Sequence, residues 1–268
     1  TLTLSAADAA VVTSGGNDDI ASTSGAITIT ADRLTLATGT IASSGALILQ
    51  PNASGETIGI GGGGGDFNLA AAEIALLTNG FSAITIGKTN SGVVDINAIT
   101  FTDPVTIQGA AITVTALQAG NNNITLTSTA TIDEAADDTT VDITTSATLV
   151  MTAAGAIGAT GGSGPLDLTV GTLQAVTNAD GIFLLESNAL IIGGTGVQTT
   201  AGNAPIEITL TAGNLTLDED ITANGSGTVT LTLSAADAAV VTSGGNDDIA
   251  STSGAITITA DRLTLATG

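Results

Sequence analysis

Residues 25–36 read GAITITADRLTL, and this short stretch carries the pattern that decides the fold. A glycine leads it, Ile27 and Ile29 alternate with threonine, and a second apolar stretch, RLTL, follows at 33–36. Alternation with a period of two, in β-branched side chains, predicts strands that bury one face. The stretch therefore predicts two short strands joined at a corner.

The same kind of strand recurs along the whole chain, usually after a turn residue such as Gly, Asn or Pro. Ten examples are GAITIT (25–30), GALILQ (45–50), SAITIG (82–87), DPVTIQ (103–108), NNITLT (122–127), TTVDIT (139–144), PLDLTV (165–170), GIFLLE (181–186), PIEITL (205–210) and TVTLTL (228–233). Their mean spacing is about 23 residues, which is within the range of solenoid coils. Ser-Gly and Asn-Gly pairs between them are typical of turns.

These features predict an all-β fold, a right-handed parallel β-helix (β-solenoid) with one short helical insertion. A chain that winds and stacks each coil on the last accounts for the repeated order of strand and corner. Aromatic residues are 1% of the chain and Trp and Tyr are absent, which suits a narrow core of Ile, Leu, Val and Ala. An array of antiparallel sandwiches or barrels is the alternative.

The sequence also contains a repeat that is much longer than one coil. Residues 1–39 and 230–268 are identical, at an offset of 229 residues. We therefore expect residues 1–229 to be one tandem unit of about ten coils and residues 230–268 to be the start of the next identical one. Residues 66–80, DFNLAAAEIALLTNG, predict the short helix, with Asp66 or Asn68 as N-cap and a stop at Asn79-Gly80.

The charge excludes some classes of partner. The chain has 25 acidic residues, 3 basic residues and a net charge of −22. Nucleic-acid binding needs cations for the phosphates and is therefore not expected. Insertion into a membrane is not expected either, because no apolar stretch is long enough to span one. Cations, cationic surfaces and neutral glycans are compatible with this composition.

Residues 66–108 resemble a segment of very large bacterial surface proteins of the filamentous-haemagglutinin type. A short helix, a Gly-Phe-Ser-x-Ile-x-Ile-Gly strand and a Phe-x-Asp-Pro-Val strand carry the resemblance. The matching residues are Gly80, Phe81, Ser82, Ile84, Ile86, Gly87, Phe101, Asp103, Pro104 and Val105. The resemblance implies a right-handed parallel β-helix, an extracellular location at the bacterial cell surface, and adhesion or matrix formation.

Several acidic residues on predicted corners are candidate metal ligands, because oxygen clusters on loops can bind calcium. The acidic clusters are Asp18/Asp19, Asp133/Glu134, Asp137/Asp138 and Asp218/Glu219/Asp220, and the candidates among them are Asp18, Asp19, Asp137, Asp138, Asp218 and Asp220. A solvated acidic face is the simpler interpretation of all six. We therefore expect no cofactor other than loosely bound Ca2+.

The glycine run from Gly59 to Gly64 matches the letters of a dinucleotide fingerprint, G-x-G-x-x-G. Five consecutive glycines satisfy any glycine pattern, however, and no alternation of strands and helices surrounds them. A flexible corner is the better interpretation.

An enzyme is not expected, and no catalytic residue is predicted. The chain has no His or Cys and almost no cationic residue to act as base, nucleophile or electrophile. We expect a structural extracellular fibre or stalk of tandem β-solenoid repeats, with neighbouring repeats of the same chain end to end and some lateral self-association. The first alternative is an adhesin whose solenoid surface binds a host, cell or glycan ligand, and the second is a polysaccharide-acting β-helix enzyme.

Overall fold

The computed structural model describes residues 1–13, 19–159, 164–244 and 247–265. The protein is an all-β parallel β-solenoid with almost no helix, consistent with right-handed winding. This confirms the predicted fold class, including the single short helix among the described residues. Within the same ranges, no helix is long and apolar enough to cross a membrane.

The chain divides into two compact units, residues 1–129 (unit 1) and residues 130–268 (unit 2). Unit 1 contains β1 (Leu2–Thr13), β2 (Ile20–Ala21), β3 (Ile27–Leu36), β4 (Ile41–Ala42), β5 (Leu47–Gln50), β6 (Ile58–Ile60), β7 (Phe67–Leu69), α1 (Ala71–Ile74), β8 (Ile84–Gly87), β9 (Val94–Ile96), β10 (Ile99–Thr100), β11 (Val105–Gly109), β12 (Ile112–Val114), β13 (Leu117–Gln118) and β14 (Ile124–Ser128).

Unit 2 is built in the same way, from strands alone in its described part. It contains β15 (Ile132–Glu134), β16 (Ile143–Ala153), β17 (Leu166–Thr177), β18 (Ile182–Glu186), β19 (Leu190–Thr199), β20 (Ile206–Leu210), β21 (Leu215–Leu217), β22 (Ile221–Ala223), β23 (Val229–Leu233), β24 (Ala239–Thr242), β25 (Ile249–Ser251), β26 (Ile256–Thr259) and β27 (Arg262–Thr264). Each of the ten strands predicted from the sequence overlaps an observed strand, but residues 27–36 form one continuous strand and not the two short strands joined at a corner that the sequence predicted.

Apolar ladders form the core of unit 1. Strands β1, β3, β5, β8, β11 and β14 pair in succession, all in parallel. Their inward positions stack residue on residue, as in Ile27–Leu47–Ile84–Val105–Ile124. These five side chains are at most 2% exposed. Alternation therefore places the aliphatic residues inside and most threonines outside, as the sequence predicts.

Unit 2 repeats this arrangement through β16, β17, β18, β20, β23 and β26. Coil length varies more than the constant period suggested. Paired residues are 18 positions apart between Leu166 and Leu184 in unit 2, but 37 apart between Leu47 and Ile84 in unit 1. The long coil of unit 1 contains the glycine run and the helix.

The glycine run is a tightly packed corner between β6 and β7. A methyl group on Gly59 would lie 2.2 Å from the carbonyl oxygen of Gly63, and one on Gly63 would lie 2.1 Å from that of Asp95. The Asp95 carboxylate accepts the Gly64 N–H at 2.6 Å. Because backbone packs on backbone here, a side chain has no room at these positions. A strand, β7, follows the run, so the strand–glycine–helix order of a dinucleotide site is not present at this corner.

The helical insertion is shorter than residues 66–80. Its N-cap is Ala70, and it ends after one turn at Ile74. The two predicted caps have other partners: Asp66 accepts the Thr57 hydroxyl at 3.0 Å, and the Asn68 amide donates to Gly63 at 2.5 Å. Tertiary contacts therefore override the local capping signal at both residues.

The two identical 39-residue segments share part of their register. The pairs of β24–β27 are pairs of β1–β3 shifted by 229 positions, as with Ala10–Arg33 and Ala239–Arg262. The pairs of β23–β26 differ by two residues, since Leu2 pairs with Ile27 but Leu231 pairs with Ile258. One corner differs. Residues 2–13 form one continuous strand, whereas β23 and β24 are separate, with Asp237 at a φ of 62° between them.

Candidate cation site

Three acidic side chains of unit 2 converge. Carboxylate oxygens of Glu134, Asp142 and Asp167 all lie within 4.8 Å of one another. Each of the three residues is only 4% exposed. Among the described residues they form the one group of His, Cys, Asp or Glu whose spacing fits a metal ion. Three buried carboxylates at this distance are a costly arrangement unless protons or a cation compensate the charge.

Strand register brings two of the three together. Asp142 precedes β16 and Asp167 is the second residue of β17, and the neighbouring pair Ile143–Leu168 aligns these strands at an offset of 25 residues. The Asp167 N–H donates to Asp142 Oδ2 at 2.9 Å, and the Asp142 N–H donates to the Asp167 carbonyl at 2.9 Å. The two carboxylates therefore occupy the same position on successive coils.

Glu134 reaches the pair from the preceding strand, because it is the last residue of β15. Residues 135–140, which follow it, are exposed and form the corner that leads to Asp142. Gly164 packs against this corner: a methyl group there would lie 2.4 Å from Glu134 Oε1 and 2.6 Å from Asp137 Oδ1. Its φ of +53° also favours glycine. Asp137 thus lies beside the cluster, on its solvent side.

Asp167 is buried on the side of the strand that normally faces water. Leu166 and Leu168 belong to the core and are at most 1% exposed, so the alternation of β17 directs Asp167 to the opposite face. An outward residue of a solenoid strand is covered here. This makes Asp167 unlike the outward threonines of other coils.

Several carboxylate oxygens of the cluster have no hydrogen-bond partner. Within the described part of the chain, this holds for both oxygens of Asp167, and Glu134 has no side-chain partner other than the neighbouring Asp142 carboxyl group. Unpaired buried carboxylates are rare because desolvation of the charge is expensive. These oxygens are therefore free to accept a cation or to hold a proton.

The raised pKa values of the three carboxyl groups are consistent with binding of either a cation or a proton. Burial, followed by the charges of Asp142 and Asp167, raises the pKa of Glu134 to about 8. Burial raises the pKa of Asp142 to about 7, against the opposing hydrogen bond from the Asp167 N–H. Burial also raises the pKa of Asp167 to about 6. At neutral pH, without a cation, the cluster retains protons.

The six acidic residues singled out from the sequence lie elsewhere or at the edge of this cluster. Asp18 lies outside the described residues, and the other five are exposed. Asp19 accepts the N–H and the hydroxyl of Thr40 at 2.7 and 2.8 Å, and Asp220 accepts the Asp248 N–H at 2.8 Å. Both carboxylates thus bond across corners. Calcium binding by these residues stays a prediction.

Sequence reasoning singled out neither Asp142 nor Asp167, and it noted Glu134 only as part of the acidic pair Asp133/Glu134 and not as a candidate ligand. Two of the three carried a signal, because aligning TTVDIT (139–144) with PLDLTV (165–170) on their apolar residues places Asp142 over Asp167. Like charges directly opposite each other in a sheet are unfavourable, so the coincidence is informative. Glu134 carried no such signal, since the corner alone brings it to the pair.

Comparison with known proteins adds no family. The chain matches no family model, no curated protein and no solved structure. The resemblance of residues 66–108 to filamentous-haemagglutinin-type proteins therefore stays a prediction.

Proposed function

We propose that this chain is a structural, non-enzymatic repeat of an extracellular fibre or stalk, in which β-solenoid coils continue from one 229-residue unit into the next. The single observation that carries the proposal is that the pairing of β24 with β27 repeats, 229 residues later, the pairing of residues 10–12 with residues 33–35. The same residues thus form parallel solenoid strands at two places in the chain. A location at the bacterial cell surface belongs to the proposal and rests on the resemblance of residues 66–108.

Residues 1–39, the first copy of the repeated segment, show how such a coil pairs with the next one. There β3 is covered by β5, and the Ile27 N–H donates to the Ala46 carbonyl at 2.8 Å. In the second copy the equivalent strand, β26, pairs with β23 alone among the described strands. Ile256 is 44% exposed, whereas its counterpart Ile27 is fully buried.

The face of β26 is therefore a template for a further coil. It presents strand edges and apolar side chains of the kind that β3 offers to β5. Unpaired edges of this type favour strand addition, and solenoids otherwise cover them with capping coils. We propose neighbouring repeats as the natural occupant of this face, joined end to end.

The proposal predicts that residues 1–268 associate end to end, and that Ile256→Pro prevents it. Proline is tolerated at the first residue of an edge strand but cannot donate the bond that Ile27 makes to Ala46. Sedimentation velocity over a concentration series, with negative-stain imaging, measures the association.

Ile256→Val is the matched control, since it keeps the N–H and a β-branched side chain. We expect the wild type and Ile256→Val to form linear oligomers and Ile256→Pro to stay monomeric with an unchanged β-sheet spectrum. If the wild type stays monomeric throughout, or if Ile256→Pro assembles as the wild type does, the end-to-end proposal fails.

A further inference from the structure

The cluster in unit 2 has the dimensions of a calcium site. Ca2+ binds oxygen ligands at 2.3–2.6 Å, so two oxygens of one coordination shell lie at most about 5 Å apart. The oxygens of Glu134, Asp142 and Asp167 meet this limit, being within 4.8 Å of one another. Three protein segments thus offer one oxygen each to a single point.

The chemistry of the oxygens favours a hard cation. All three ligands are carboxylates, whereas Zn2+ sites usually include His or Cys, and the sequence contains neither. Mg2+ keeps several of its waters and needs a near-octahedral shell, so an enclosed all-protein cage suits it poorly. Ca2+ accepts irregular shells of six to eight oxygens, including the two oxygens of one carboxylate.

The unpartnered oxygens are the second, independent observation. Asp167 is only 4% exposed, and in the described part of the chain neither of its carboxylate oxygens has a hydrogen-bond partner. Asp142 is oriented by the Asp167 N–H through one oxygen, as metal ligands commonly are by neighbouring groups, and it lies within hydrogen-bonding reach of the Glu134 carboxyl group. Hydrogen bonding within the fold thus does not account for where the Asp167 oxygens point.

We propose that Glu134, Asp142 and Asp167 bind one Ca2+ ion, which fastens the corner at residues 135–141 to the first residues of β17. Asp137 closes the site from the solvent side, because it lies with Glu134 against Gly164. An open depression of about 350 Å³, lined by Asp137, Gly164 and Phe183 among others, lies on this solvent side. The site is independent of the fibre proposal, since it lies wholly within unit 2.

Calcium has a structural consequence in this location. Without it, the carboxyl groups on successive coils at the start of β16 and β17 must retain protons or repel each other. When Ca2+ is bound, it bridges the three carboxylates and so attaches the otherwise exposed corner to the sheet. The bound ion therefore stabilises the folded state by an amount that rises with the logarithm of its free concentration once that exceeds the dissociation constant.

The test is titration of the chelator-treated protein with CaCl2 at pH 7.5, by calorimetry and by thermal unfolding followed by circular dichroism. A background of 0.5 M NaCl screens the diffuse attraction of cations to the acidic surface. We expect one saturable site, with a Tm increase of about 5 °C or more in 5 mM Ca2+. The same concentration of Mg2+ should give less than half that increase.

A double variant and a matched control separate this site from general charge. Glu134→Gln with Asp167→Asn should abolish both the heat of binding and the Tm increase. Because this variant removes unpaired buried charge, its calcium-free form should be at least as stable as the wild type. Asp218→Asn with Asp220→Asn removes the same charge from an exposed corner and should leave the calcium response intact.

Three results would overturn the proposal. The first is a wild-type protein with no saturable binding, in which case the cluster is held by protons. The second is an equal response of the Glu134/Asp167 variant, and the third is loss of the response in the Asp218/Asp220 control. The last two would show calcium acting at the surface.

Discussion

Glu186 is the acidic residue that departs most from its surroundings. It is fully buried, and it occupies an inward position between Leu168 and Leu210, to both of which it is paired. Its carboxylate accepts the N–H groups of Ser187, Asn188 and Val170, at 2.9, 3.1 and 3.2 Å. An acid is thus accommodated in an apolar ladder because it satisfies one backbone donor in β17 and two just after β18.

Burial raises the pKa of Glu186 from 4.5 to about 7, although its backbone hydrogen bonds oppose the shift. A folded-state pKa above the unfolded value means that the folded state binds the proton more tightly. Its stabilising effect is complete below pH 4.5 and is lost as the pH rises through about 7. The loss is on the order of 3 kcal/mol in the free energy of unfolding.

We expect Glu186→Gln to remove this part of the pH dependence. Urea unfolding of both proteins at pH 4.5 and pH 8 gives the comparison. The wild type should lose more stability over this interval than the variant, with the difference on the order of 3 kcal/mol. Equal losses in the two proteins would mean that Glu186 does not titrate in the folded state as described. The Glu134 cluster titrates in both proteins and cancels in the comparison.

Among the elements, the corner between β6 and β7 shows best how backbone packing explains a motif. Its glycines match a nucleotide-binding pattern by letter, yet their backbones approach one another and Asp95 too closely for a side chain. Adjacent glycines of the run differ in this respect. A methyl group on Gly64 would meet nothing nearer than the Asp95 carboxylate at 3.5 Å, whereas one on Gly63 would meet backbone at 2.1 Å.

These neighbours make a matched pair of substitutions. Gly63→Ala should lower the free energy of unfolding by about 1–3 kcal/mol, because a backbone segment must shift. Gly64→Ala should change it by less than about 0.5 kcal/mol, since the position has space and no positive φ. Chemical denaturation measures both. A large loss at Gly64, or none at Gly63, would contradict this account of the corner.

At the scale of the whole molecule, the dominant property is charge. A net charge of −22 with only three basic residues leaves few internal ion pairs to offset repulsion between copies. Divalent cations screen and bridge such surfaces more effectively than sodium at equal ionic strength. Lateral association of the chains should therefore depend on the type of cation as well as on ionic strength.

We expect light scattering of residues 1–268 to stay low in dilute buffer and to rise on addition of millimolar Mg2+. Sodium chloride at the same ionic strength should raise it less. Ile256→Pro, which blocks end-to-end pairing, should retain this response if the association is lateral. Scattering that ignores millimolar divalent ions would argue against charge as the barrier to association.

The sequence by itself determined the type of fold and the position of its strands. Alternation of Ile27, Thr28 and Ile29 is a local property, because successive side chains of a strand always point to opposite faces. Identity of residues 1–39 and 230–268 likewise gave both segments parallel strands, with a common register for β24–β27 and a register two residues different for β23–β26. A local pattern of this kind does not depend on the length of the coil that contains it, so all ten strands could be predicted from the sequence.

Only the tertiary structure decided coil length, the extent of the helix and the acidic cluster. Asp66 and Asn68 do not cap the helix, because their side chains bond to Thr57 and Gly63 instead. Glu134 met Asp142 and Asp167 because a corner returned the chain to them, and Asp167 became buried although its strand directs it outward. The physical reason is that a side chain's face is set by its own strand, whereas its neighbours are set by where each corner brings the chain back.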